Sequence, residues 1–159
     1  MLKRSKGFWA AVFTIAAVPV IADSASPVAL AARAKGAERI VVASIERVRA
    51  EYQKNEFGDA LIVTHAELRV AEVLKGQAKN GEAITIEVEG GTINGITLSV
   101  SDLPTVAAGE NAVFFLGRGR RGEVVPHLRG QGILKLDALQ RVAGTATTLA
   151  DVRSAVSGR

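Results

Sequence analysis

Two histidines, a glycine loop rich in arginine and a pair of carboxylates have types and spacing that could carry chemistry. His65 and Glu67 stand two positions apart, so a strand puts both on one face. With His127 they form a possible zinc set, because imidazole and carboxylate are ordinary zinc ligands. No local metal-binding spacing joins them, since 62 positions separate the histidines. Ser99 or Ser101 could combine with His65 or His127 and with Asp102 as nucleophile, base and orienting acid. The sequence contains no G-x-S-x-G turn to present such a serine. Glu87 and Glu89 also share a strand face and read as a solvated edge. From these residues the sequence predicts no catalytic residue, no metal ligand and no cofactor.

The loop is Gly117-Arg118-Gly119-Arg120-Arg121-Gly122, which fits G-x-G-x-x-G and follows an apolar run. A dinucleotide turn needs a helix after its glycines, because the helix N-terminus carries the phosphate. Here Glu123-Val124-Val125-Pro126 follows, which is strand-like, and Pro126 would break a helix. The reading is a hairpin tip between Leu116 and Glu123, with glycines supplying positive φ and arginines facing water. Arg118, Arg120 and Arg121 still make a local positive knob, with Arg129 in reach. That knob is the candidate partner-binding site, for an acidic surface or anionic lipid.

The elements around these residues are mostly strands. Ile40, Val41, Val42, Ile45 and Val48 mark a first strand, and Glu51 to Asp59 reads as a polar loop or hairpin end. Between Ala60 and Leu74, Ile62, Thr64, Ala66, Leu68 and Val70 alternate onto one face. The pattern slips at Ala71-Glu72, and a β-bulge there returns Val73 to the core. Ile84, Ile86 and Val88 mark a third strand, and Ile96, Leu98 and Val100 a fourth, with Gly90-Gly91 and Asn94-Gly95 as breaks. Ala112 to Leu116 is a continuous apolar run that suits a buried strand holding Phe114 and Phe115. Glu123 to Leu128 and Gly132 to Asp137 read as two further short strands. Thr148 and Asp151 form a capping pattern, and Leu149, Val152 and Val156 share one face of a short terminal helix. The fold class is mainly β, a small antiparallel barrel of oligosaccharide/oligonucleotide-binding type with roughly five to seven strands. An open β-sandwich is the alternative.

Met1 to Gly7 carries Lys3, Arg4 and Lys6 and no acid, and Phe8 to Ala22 is apolar except for Thr14. A basic start, a short apolar core and small residues after it describe a secretory signal peptide over residues 1–22. The apolar stretch is shorter than the roughly 18 to 20 residues of a spanning helix, so an uncleaved anchor is the lesser reading. Cleavage after Ala22 is the first choice, and cuts after Ala25 or Ala32 fit the same pattern. Residues 23–37 then read as a flexible lead-in and 38–159 as one domain.

The chain has 20 Lys+Arg and 16 Asp+Glu, a net charge of +4. Without Lys3, Arg4 and Lys6 there remain 17 basic against 16 acidic groups, a net charge of +1. Net charge therefore gives no push toward nucleic acid, where affinity comes mainly from phosphate neutralisation. Exposed aromatic stacking platforms are also scarce. The sequence has no cysteine, which excludes disulfides, thiolate metal sites and cysteine nucleophiles.

Leu74-Lys75-Gly76 closing a long strand is followed by Gly90-Gly91, Gly95, Pro104, Gly109-Glu110 before Phe114-Phe115-Leu116, and Gly130-Gln131-Gly132-Ile133. This order resembles a group of small bacterial secreted domains, some from organisms rich in matrixin-like metallopeptidases. Their fold is similar to the barrel of the netrin-like module and the tissue inhibitors of metalloproteinases. The resemblance covers roughly Arg39 to Asp137. It implies a fold and an extracytoplasmic setting. Those inhibitors chelate a protease zinc with an N-terminal cysteine, so that mechanism does not carry over to a chain without cysteine.

Together these readings predict an exported, periplasmic or extracellular, non-enzymatic module that binds a protein or cell-envelope component. They predict no nucleic-acid partner, and membrane contact only through an uncleaved signal segment. An inhibitor or accessory subunit of an exported peptidase is one alternative, and an exported hydrolase using His65 or His127 is another.

Overall fold

The computed structural model describes residues 27–55 and 57–158. The expected signal peptide, residues 1–22, lies outside them, as does the start of the expected lead-in. The rest of that lead-in is not an irregular segment. Helix α1 spans Pro27–Gly36 and buries Leu30 and Ala34 completely or nearly so. Proline at the opening of a helix costs no hydrogen bond, and the alanines that follow are strong helix formers.

Strand β1 (Arg39–Lys54) and strand β2 (Ala60–Lys75) form one long antiparallel hairpin. The expected loop from Glu51 is therefore strand as far as Lys54. Its residues stay extended because they pair across with Val63, Ile62, Leu61 and Ala60. The bulge expected near Ala71 is present: Val42 pairs with Glu72 and Ala43 with Val70, leaving Ala71 over. Val73 accordingly packs on the core face. Two further irregularities lie between Ile40 and Val41 and between Ile45 and Arg47, and bulges of this kind bend a strand.

Strand β3 (Ala83–Glu89) pairs with β2, and β4 (Gly91–Ile93) with β5 (Ile96–Leu98) makes a separate small hairpin. Strand β6 (Asn111–Arg118) pairs with the first half of β1. The far side of β6 is shared by β7 (Val124–Pro126) and β8 (Ile133–Leu136). A 3-10 turn, Arg129–Gly132, joins these two. Helix α2 (Leu149–Ser157) ends the fold, with the expected capping box between Thr148 and Asp151.

The main sheet runs in the order β3-β2-β1-β6-β7. It is open: β3 and β7 lie against one another, but no ladder joins them, so the expected barrel is not closed. The reason lies in β7. His127 N–H donates to Phe115 O of β6 at 2.8 Å. Backbone groups alternate sides along a strand, so positions 124 and 126 face outward, toward β3. Position 126 is proline and has no proton to donate.

Both faces of the sheet are buried. Phe114 and Leu116 of β6 join Leu68, Ile86 and Val88 in one core, while Val113 and Phe115 join Leu30, Ile40 and Val152 in the other. Helices α1 and α2 cover this second face. That accounts for the unbroken apolar run of β6, which presents side chains to both layers.

Candidate functional site

The far end of the β1–β2 hairpin and the adjoining β3 present one mixed face. Registers place Arg49 opposite His65, Glu51 opposite Val63 and Gln53 opposite Leu61. On the other side His65 is opposite Glu87 and Val63 opposite Glu89. The β6–β7 tip, Gly119 to Gly122, stands over this face. Between them lies an open cleft of about 880 Å³. Leu61, Val63, Leu103, Val125 and Pro126 give it apolar walls, and the exposed ring of Phe57 stands at its mouth.

The rim is ionic and internally paired. Arg121 donates to Glu87 at 2.6 Å and to Gln53 Oε1 at 2.8 Å, with Glu123 at 3.8 Å from its Nε. Arg129 donates to Asp102 through two nitrogens and to Glu89 at 3.1 Å. Arg129 lies in left-handed backbone with Leu128, both at φ of 55°. From that turn the guanidinium reaches across the seam to Glu89. The hydrogen bond to Arg129 holds the Asp102 carboxyl below the usual range, and its partner carboxylates raise the guanidinium.

His65 sits between carboxylates, 2.9 Å from Glu51 through Nε2 and 3.9 Å from Glu87 through Nδ1. Its Nε2 also meets the Gln53 amide nitrogen at 3.1 Å. Gln53 spends its oxygen on Arg121, so its NH₂ is the group turned toward His65 and Glu51. Nε2 can thus donate to Glu51 when protonated, or accept from Gln53 when not. Hydrogen bonds from Gln53 and then His65 hold the Glu51 carboxyl below its usual range.

The expected knob of three arginines is divided. Arg121 turns into the cleft wall, and Arg118 turns away to Gly122 O at 3.2 Å and Glu38 at 3.5 Å. Arg120 lines the cleft beside the tip. The glycine loop is a hairpin tip, as expected, and Gly122 supplies its positive φ of 86°. The arginines on it do not simply face water.

Glu87 and Glu89 are likewise more than a solvated edge, since each anchors an arginine from across the seam. Their spacing of two was legible, but their partners lie 34 and 40 positions away. His127 stacks against Gly36, where a Cβ would collide with its ring. Among the described residues no hydrogen bond joins Ser99 or Ser101 to a histidine, and Asp102 is held by Arg129. Among them, too, no three His, Cys, Asp or Glu side chains form a group able to hold a metal ion.

A second hollow, of about 450 Å³, is lined by Arg33, Gln131, Lys135 and Thr145. Arg33 is only 3% exposed and lies 5.7 Å from the Phe115 ring centre, a cation–π contact that lets the guanidinium be buried. Burial lowers its pKa. Sequence reading missed this residue, because arginine in an Ala-rich stretch carries no sign of burial. Compared with known proteins, the chain matches no family model and no curated sequence.

Proposed function

We propose that the chain is an exported, non-enzymatic binding module whose partner, a protein or cell-envelope component, seats in the cleft beneath the β6–β7 tip. One observation carries this reading. The cleft joins apolar walls to an exposed phenylalanine within a rim of paired charges. Apolar surface with a satisfied polar rim is how protein-binding patches are built. At Arg121 and Arg129 an incoming phosphate would have to displace Glu87, Glu89 and Asp102, whereas an apolar segment would not.

The strand order, with β3 and β7 meeting at the seam, supports a partly open barrel of oligosaccharide/oligonucleotide-binding type. That order also suits the resemblance to netrin-like and metalloproteinase-inhibitor barrels. Export rests on the basic and apolar pattern of Met1 to Ala22.

The test is a photo-cross-linking side chain placed in the native host at Leu61, inside the cleft, or at Ile96, exposed outside it. The expected result is an adduct with an envelope protein from Leu61 and none from Ile96, with the mature chain beyond the cytoplasmic membrane. Adducts from neither position, or a chain confined to the cytosol, overturn the reading.

A further inference from the structure

The open seam leaves one side of β3 without a ladder. Gly90 N–H donates to Ile62 O at 2.7 Å, and Glu82 O accepts from Val70 N–H at 2.9 Å. Even-numbered backbone groups of β3 therefore face β2. The N–H and C=O of Ala83, Thr85, Glu87 and Glu89 point the other way. Among the described residues they make no backbone hydrogen bond. Four donors and four acceptors in a row form a template for another strand.

We propose that the outer edge of β3 adds an extended segment of a partner protein, one that alternates basic and apolar side chains. The proposal deepens the cleft-binding reading and rests on it. Charge complementarity selects the segment. Thr85, Glu87 and Glu89 share one strand face, and Ile84, Ile86 and Val88 the other, in the core. Side chains directly opposite one another on paired strands approach within about 5 Å. A segment with basic residues two apart meets Glu87 and Glu89, and its intervening apolar residues continue the row of Ile86 and Val88.

Arg121 and Arg129 now hold those carboxylates from the β6–β7 tip and the 3-10 turn. They stand in for the incoming basic residues. Because β7 lies against β3, entry requires the tip to swing away and both bridges to open. The two bridges are exposed ion pairs and hold the tip weakly. The arginines therefore compete with the partner.

The experiment uses the mature chain and an acetylated, amidated peptide of sequence VRVRV, with binding read by fluorescence anisotropy. Combined Arg121→Gln and Arg129→Gln should bind the peptide about tenfold more tightly than the parent, and combined Glu87→Gln and Glu89→Gln about tenfold more weakly. Thr85→Pro removes one outward donor at a place where an edge strand tolerates proline, so it should abolish binding while the circular dichroism spectrum is kept. Equal binding of a peptide N-methylated at alternate backbone nitrogens overturns strand addition and leaves side-chain docking in the cleft standing. Tighter binding of VEVEV, or no binding of VRVRV to the double arginine variant at millimolar concentration, also overturns it. Loss of the Leu61 cross-link tests the cleft reading separately.

Discussion

Lys75 Nζ donates to the carbonyl oxygen of Ala34 at 2.7 Å. The same ammonium reaches Ala37 O at 2.7 Å and Lys35 O at 3.2 Å. It thus closes the C-terminal end of α1, where unpaired carbonyls and the negative end of the helix dipole coincide. The last residue of β2 thereby fastens a helix that begins the described chain. Lys75→Met keeps the stem and removes the charge. It should cost about 1–2 kcal/mol, the usual worth of charged hydrogen bonds discounted for partial exposure. Urea unfolding measures that loss, and hydrogen exchange should show α1 amides opening before those of β2. Unchanged protection of α1 would mean that Leu30 and Ala34 hold the helix unaided.

The docking of α1 also bears on maturation. A cut after Ala32 would remove Leu30, which is fully buried beneath the second core, and leave Arg33 at the new terminus. Cuts after Ala22 or Ala25 leave the whole helix. Under the proposed export, the mature chain should therefore begin at Asp23 or Ser26. Intact-mass measurement of the native protein decides this. A chain starting at Arg33 would show that the mature fold does without the first two turns of α1.

What the sequence made legible follows from the range of each interaction. The bulge at Ala71 could be read because Val73 breaks a local period of two, and the fold keeps Val73 in the core. The capping box of Thr148 and Asp151 spans three positions and was equally plain. The end of β1 was obscured because Arg47 to Lys54 is polar on one face and small or exposed on the other. Strand pairing with β2, and not hydrophobicity, carries it to Lys54. The ionic rim could not be read, since the β3 carboxylates that meet Arg121 and Arg129 lie 34 and 40 positions away. The sequence marks Pro126 as a helix breaker. Its second consequence, an outward strand position without a donor, needed the register with β6.

Acid should weaken the fold. Asp102 is held below the usual carboxylate range by Arg129, Asp151 by the Thr148 side chain and backbone, and Glu46 by Arg69. Asp137 is lowered first by the backbone N–H of Arg141. A carboxyl with a depressed pKa in the folded state binds its proton less readily than in the unfolded chain. Its stabilisation is therefore present above the unfolded value, about 4, and is lost as pH falls through the lower folded value. Urea midpoints should be level from about pH 7 to 5 and fall steadily below about 4. Asp151→Asn should make that decline shallower. A midpoint that rises on acidification would contradict the assignment.

Gly91 offers the sharpest test of packing at the turn out of β3. Its φ is +138°, in a region almost reserved for glycine. A Cβ there would also land on Thr64 Oγ1, whose hydroxyl donates to Gly90 O at 2.6 Å in a buried setting. Gly91→Ala therefore meets both backbone strain and a collision that breaks a buried hydrogen bond. The expected cost is about 2–4 kcal/mol. Gly95 is the matched comparison, with φ of +81° in the β4–β5 turn and no atom within 4 Å of the place a methyl would take. Gly95→Ala should cost about 1–2 kcal/mol, from the left-handed backbone alone. Denaturant unfolding of the two variants compares greater strain with a collision against left-handed strain alone. Equal losses would mean that the β4–β5 hairpin lifts away from Thr64 at little cost, and that this hairpin is not firmly seated over the end of the β1–β2 pair.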